Sequence, residues 1–292
     1  MPDTHLIFPL IASLMFVCGM LASKRLSQHH VSPLTILAAT NFGLALVFVP
    51  FWVLGGPPVE PWMLWRPLVV AVLSMLGMGF TFAAIHVGDV SVATPMFGLK
   101  AVLVAVLLAI VGRQPPTVVI WVAATLATIG VVTVQWTGFG EPKKTLRTIL
   151  LASGAATSYA GFDVSLQHWS PMLSPGRMLP LAYIWLAILT IPLAIHAPWP
   201  QLRARRTWGL LGLATFLVSV QAIGVAGTLS IVGDAARVNI VYALRGLWGV
   251  LLAWFLANRI GGAEAKLGGR TMGQRLIGAS LLTVAVMLAV WQ

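Results

Sequence analysis

The sequence predicts an all-α polytopic membrane protein with ten transmembrane helices, arranged as two inverted five-helix repeats. Three observations predict it. Apolar runs of about 20 residues follow one another along the chain, the length that crosses a hydrocarbon core roughly 30 Å thick. Of 292 residues, 59% are hydrophobic and only 9% charged, against about 25% charged in soluble domains, and the mean hydropathy is +0.93. The two halves also carry an ordered series of matching residues. Because the runs are continuous rather than alternating, a membrane β-barrel is excluded.

The spans fall at about 6–23, 34–54, 67–87, 90–112, 117–136, 146–167, 179–197, 208–231, 235–258 and 274–291. Gly/Pro or basic clusters separate them, among them Gly55-Gly56-Pro57-Pro58, Gln114-Pro115-Pro116, Lys143-Lys144, Pro198-Trp199-Pro200 and Gly261-Gly262. Trp62, Trp65, Trp136, Trp199, Trp208 and Trp291 lie at span ends, where interfacial anchors belong. The first run is expected to remain as a helix rather than be cleaved as a signal peptide. Its leading residues, Met1 to His5, contain Asp3 and no Lys or Arg.

Val87-Gly88-Asp89, Leu99 and Lys100 recur as Val232-Gly233-Asp234, Leu244 and Arg245, all at an offset of 145 residues, and Phe97 meets Tyr242 at the same offset. Gly19, Ser23 and Ser32-Pro33 meet Gly161, Ser165 and Ser174-Pro175 at an offset of 142. The halves are therefore 1–140 and 141–292, one integrated membrane domain. Five spans per repeat is an odd number, so the second repeat enters from the opposite side. Inverted pairs of this kind build many secondary transporters, with the binding site at mid-membrane.

Twelve Lys and Arg residues fall on the side of the odd-numbered loops, in clusters such as Lys24-Arg25, Lys143-Lys144 and Arg205-Arg206. Only Arg66, Arg113, Arg177 and Arg237 fall on the other. The positive-inside rule then places both termini outside the cytoplasm. The same placement explains the net charge of +11 without a nucleic-acid partner. Cys18 is the only cysteine and carries no information on redox compartment.

Lys100 and Arg245 stand in the middle of spans four and nine. A cation in hydrocarbon costs roughly 2.5–3.5 kcal/mol on insertion scales, and here it occurs twice at matched positions. Each lies 12 residues after its glycine, Gly88 or Gly233, roughly 18 Å of helix. On antiparallel helices, equivalent positions share a depth only near the midplane. With no acid nearby in sequence, the two cations point to a pocket for an anion. The alternative is that each caps backbone carbonyls or pairs with Asp163.

Phe97 and Tyr242 precede the cations by three positions, on the same helix face, and offer rings to a planar ligand or to the cations. Asn239 and Trp248 lie near Arg245. The substrate-binding candidates are thus Lys100, Arg245, Tyr242, Phe97, Asn239 and Trp248. Asp163 is the one acid well inside a span. It is a coupling carboxylate, a counter-ion for Lys100 or Arg245, or an interfacial residue near the end of span six beside Gln167 and His168.

Other polar groups have blander readings. Asp89 and Asp234 each follow glycine and open a helix, so they serve as N-caps. Asn41, Thr81, Thr94, Tyr159, Tyr183 and Gln221 line a cavity or bond between helices. Pro95 loosens span four one turn before Lys100, and Gly77, Gly79 and Gly98 permit close packing. The six histidines, His5, His29, His30, His86, His168 and His196, are terminal, in loops or near span ends, with no metal spacing. No Walker A, Gly-x-Gly-x-x-Gly or Gly-x-Ser-x-Gly motif is present. An ATP-driven pump and an intramembrane enzyme are therefore disfavoured, and no catalytic residue, metal or cofactor is expected, although proton coupling remains open.

The stretch Gly88-Asp89-Val90-Ser91-Val92-Ala93-Thr94-Pro95, leading into span four, and Gly112-Arg113-Gln114-Pro115 before span five resemble the drug/metabolite transporter superfamily, especially its ten-helix EamA-like members. The resemblance implies alternating access, export or exchange of small metabolites, and a central cavity lined largely by helices three, four, eight and nine. Sugar-phosphate members of the superfamily place cations on helices four and nine, and Lys100 and Arg245 look similar in placement. No second cation adjoins Arg245, which favours a carboxylate over a phosphate. The acid often found before the fifth helix is replaced at Gly112-Arg113-Gln114.

The expected function is a secondary active exporter or exchanger of a small anionic or zwitterionic metabolite, such as an amino acid or carboxylate, in the cell inner membrane. The alternative is a non-transporting structural or lipid-binding membrane subunit. The expected partners are the small-molecule substrate and the lipid bilayer, with no nucleic acid, and the chain acts as a monomer or weak dimer.

Overall fold

The computed structural model describes residues 3–87, 90–111, 115–135, 142–202, 205–260 and 269–291. The expected cap at Asp89, the Gly112-Arg113-Gln114 turn, Trp136, Arg203, Gly261-Gly262 and Lys266 lie outside the described residues, as does the side chain of Thr94. No strand occurs among the described residues. Their helices follow the ten predicted spans in order. They are α1 (Ile7–Gln28), α2 (Pro33–Phe48), α3 (Trp65–Val87), α4 (Val90–Met96), α5 (Lys100–Val111), α6 (Val118–Gln135), α7 (Pro142–Leu173), α8 (Pro175–Ile195), α9 (Arg205–Ala222), α10 (Thr228–Ile231), α11 (Ala235–Tyr242), α12 (Arg245–Ile260) and α13 (Gly269–Val290).

Among the described residues, eight helical stretches are long and apolar enough to cross a membrane, and Phe97–Val111 adds a shorter apolar helix. Large apolar side chains stand on the outside: Leu46 is 74% exposed, Phe216 62% and Ile195 74%. In water such a surface is a liability, whereas in lipid it is the ordinary exterior. The chain is thus an all-α multi-pass membrane protein, as its composition predicts.

Two compact units are built from interleaved pieces of the chain. One comprises residues 7–75 and 165–233. Here α1 lies along α9, and α2 packs on α8 and α9. Small residues permit the approach: Gly43 faces the Thr215 side chain, and a Cβ on Gly224 would stand 2.9 Å from the Phe8 carbonyl oxygen. Between α9 and α10, residues Ile223–Gly227 widen into a π-helical turn. Asn41 donates from Nδ2 to Thr190 Oγ1 at 3.0 Å, and Phe48 stacks on Tyr183 with centroids 3.9 Å apart. Asn41 therefore bonds between helices, one of the two roles expected for it, while the Tyr183 ring stacks between α8 and α2.

The other unit comprises residues 1–6, 76–164 and 234–292. Its central strut is α6, which α13 flanks closely and which α4, α5, α11 and α12 also touch. The α6–α13 approach depends on two glycines. A Cβ on Gly130 would meet Leu282 Cγ at 2.9 Å, and one on Gly278 would meet the Gly130 carbonyl oxygen at 2.8 Å. No real side chain fits there, so the backbones nearly touch.

Candidate functional site

Spans four and nine both break where their cation sits. After α4, which contains Pro95, residues Phe97–Leu99 form a 3-10 turn, and Lys100 is the first residue of α5. Span nine has no proline, yet α11 ends at Tyr242 and Arg245 is the first residue of α12. The intervening backbone tightens to i→i−3 bonds, with Leu244 donating to Val241 at 3.1 Å and Leu247 to Leu244 at 2.9 Å. A glycine lies beside each break, and both face α6. A Cβ on Gly98 would stand 2.8 Å from Val131 Cβ, and one on Gly246 would stand 3.7 Å from Val131 Cγ2 and 3.0 Å from Gln135 Nε2. The Gly98 carbonyl also accepts from Thr128 Oγ1 on α6 at 3.1 Å.

Span nine starts as its residues dictate. Gly233 has φ +77°, a left-handed conformation that glycine adopts without steric cost. Asp234 then caps α11, its side chain accepting from the Arg237 backbone N–H. Arg237 Nε donates to Asp234 Oδ2 at 2.5 Å and its Nη1 to Asp3 Oδ1 at 2.8 Å, while His5 Nε2 lies 3.1 Å from Asp234 Oδ2. The predicted cap is thus also the centre of a polar cluster with the N-terminal segment, which its sequence neighbours do not announce.

The acid missing from the sequence neighbourhood of Lys100 arrives from α7. Lys100 Nζ lies 2.7 Å from Asp163 Oδ2, and the same oxygen accepts from Asn239 Nδ2 at 2.6 Å. Asn239 also donates to the Ala235 carbonyl at 2.9 Å, so its amide bridges α7 and its own helix. Asp163 is fully buried, and Lys100 and Asn239 are 8% and 4% exposed. Asp163 Oδ1 is buried without a hydrogen-bond partner among the described residues. α7 runs for 32 residues, to Leu173, which places Asp163 ten residues inside its end.

Tyr242 links the cations. Lys100 Nζ lies 5.8 Å from its ring centroid and Arg245 Cζ 4.6 Å. A second phenol, Tyr159 on α7, stands 5.9 Å from Lys100 Nζ. Gly77 makes room for it, since a Cβ there would meet the Tyr159 ring at 2.7 Å. Ring faces carry negative potential and stabilise nearby cations. Arg245 and Trp248 are half-buried. Phe97 packs with Met96 and Leu151 on the alanine cluster Ala84, Ala93 and Ala152, so its ring contributes to the wall supporting span four.

The structure therefore gathers Lys100, Arg245, Tyr242, Asn239 and Asp163 around one ring and one carboxylate. Lys100 comes from the first half of the chain and the others from the second. Sequence reasoning named Tyr159 only as a generic polar residue, and did not find Thr128, Val131 or Gly246. The glycine beside each cation was the available signal. The described residues contain no group of three or more His, Cys, Asp or Glu able to hold a metal.

Similarity to known proteins agrees with this architecture. No curated protein matches the chain in sequence. A solved crystal structure, described only as that of a protein, has a TM-score of 0.71 at 17% identity, covering 99% of this chain and 97% of that one. At this identity the likeness is one of fold. Residues 4–136 match the EamA-like transporter family.

Proposed function

We propose that the protein is a secondary active transporter of a small organic anion or zwitterion, an amino acid or a carboxylate, in the cell inner membrane. The observation that carries this reading is the meeting of Lys100 and Arg245 at the Tyr242 ring, at the two points where spans four and nine break. A helix broken at mid-membrane frees polar backbone for a ligand, and intramembrane cations mark substrate paths. Arg245 takes the anionic group, with Tyr242 and Trp248 beside it. Lys100, held by Asp163 and Asn239, sets the field around it. Phe97 shapes the wall behind span four.

The two five-span halves, 1–140 and 141–292, alternate access to this site, and the substrate leaves by export or exchange. The chain works as a monomer or weak dimer in the bilayer, with both termini outside the cytoplasm. Labelling a cysteine placed at Lys143, in a Cys18→Ala background, tests the orientation. Reaction only from the cytoplasmic side supports it, and reaction only from outside reverses it.

The test of function is uptake into proteoliposomes against a panel of carboxylates and amino acids. Arg245→Gln is expected to reduce uptake at least about a hundredfold, the scale of a lost bidentate carboxylate contact, with the melting temperature kept within a few degrees. Full transport by Arg245→Gln sinks the assignment. The buried Lys100–Asp163 pair also favours a second reading, a non-transporting subunit in which the charges only join helices. That reading requires that no metabolite on the panel be transported or raise the melting temperature.

A further inference from the structure

Among the described residues, three charged side chains make up the site: Lys100, Arg245 and Asp163. Their formal charges sum to one positive, since the carboxylate offsets one of the two cations. Asp163 is fully buried and Lys100 nearly so, and in such surroundings an added net charge is far more costly than in water. Occupancy is therefore best when ligand and site together are neutral. We infer that Asp163 selects the charge of the transported species, so that the site takes a monoanion as such and a dianion only together with one proton. This inference rests on the anion-transport reading above.

The place for that proton is on the page. Asp163 Oδ2 is engaged by Lys100 and Asn239. Oδ1 is buried and has no hydrogen-bond partner among the described residues, so a proton taken from solution on Oδ1 leaves the Asn239 contact in place. The carboxylate becomes a neutral acid, and the site gains one positive charge, which the second carboxylate of a dianion then balances. Asp163 meets Lys100 from span four and Asn239 from span nine; Tyr242 and Tyr159 stand against Lys100, and Arg245 against Tyr242. The Asp3–His5–Asp234–Arg237 cluster lies at the start of α11, roughly 16 Å along the span from Arg245. That cluster is thus remote from the site.

Succinate and succinamate form a matched pair of probes, nearly equal in size and carrying two negative charges and one at pH 7–9. The experiment is calorimetric titration of the purified protein with each, in buffers of different ionisation enthalpy, which counts protons taken up. Succinamate is expected to bind with no proton uptake and with affinity changing less than about threefold over pH 7–9. Succinate is expected to take up one proton per site and to weaken about tenfold per pH unit, as linkage requires. Asp163→Asn raises the formal site charge by one, and should let succinate bind without a proton and at least about tenfold more tightly than succinamate.

Succinate binding without proton uptake overturns the inference while leaving anion transport standing. Failure of both probes to bind overturns the inference, and failure of the whole panel of carboxylates and amino acids to be taken up by proteoliposomes overturns the anion reading with it. Should Asp163→Asn fail to fold, the proton count on the unaltered protein decides alone.

Discussion

Lys100 and Asp163 form a buried ion pair at 2.7 Å between span four and α7, joining residues 63 positions apart in the chain. The pair changes what a substitution at Lys100 measures. Lys100→Ala leaves Asp163 charged in a dry interior, with one oxygen already unpartnered. Breaking such a pair costs about 3–5 kcal/mol, whereas an apolar pair of similar volume is often neutral. Lys100→Met with Asp163→Leu is therefore expected to recover most of the stability that Lys100→Ala loses. Chemical unfolding in detergent measures this. A double variant that loses as much as the sum of Lys100→Met and Asp163→Leu alone would show that the two residues act separately.

Asn239 completes the carboxylate's hydrogen bonding, and its donation to Asp163 at 2.6 Å is charge-assisted. Asn239→Leu removes that bond and strands more of the carboxylate, a loss of about 1.5–3 kcal/mol. Asn239→Asp sets a second carboxyl against the first and is expected to be worse. A thermal melt that ranks Asn239→Asp above Asn239→Leu in stability would contradict this reading of the contact.

Eight of the spans were legible because each is a continuous apolar run long enough to cross lipid, and that signal needs no tertiary information. The Asp234 cap was legible for a similar reason, because Gly233 and Asp234 dictate their own turn. The Lys100–Asp163 contact was not, since it depends on how α7 packs beside span four, which no local pattern encodes. The length of α7 was missed where hydropathy and helicity part company. Polarity rises at Gln167 and His168, yet backbone hydrogen bonding continues to Leu173. The break in span nine was hidden because no proline marks it, whereas Pro95 announces the one in span four.

Two glycines read alike in the sequence separate in the structure. A Cβ on Gly98 would stand 2.8 Å from Val131 Cβ, while one on Gly79 would meet nothing within 4 Å. Gly98→Ala is therefore expected to lose about 1–3 kcal/mol through overpacking and to weaken transport by shifting Lys100. Gly79→Ala is expected to gain up to about 1 kcal/mol of helix propensity. Adding Val131→Ala to Gly98→Ala restores the space and should recover transport. If the double variant is no better than Gly98→Ala, Val131 is not the obstacle.

Asp234 performs two tasks that two substitutions can separate. Its side chain caps α11 through the Arg237 backbone N–H, and it holds the Arg237 guanidinium and the His5 ring. Asn is as good a cap as Asp but carries no charge, so Asp234→Asn removes only the ionic part. At 19% side-chain exposure that part is partly screened, and a loss of about 1 kcal/mol or less is expected. Asp234→Ala removes the cap as well, for a further loss of about 0.5–2 kcal/mol. Raising salt from 0.05 to 0.5 M, concentrations chosen to span roughly the Debye-screening range, should shrink the Asn penalty and leave the Ala–Asn difference nearly unchanged. A cap that mattered only through its charge would make the two variants equal at every salt concentration.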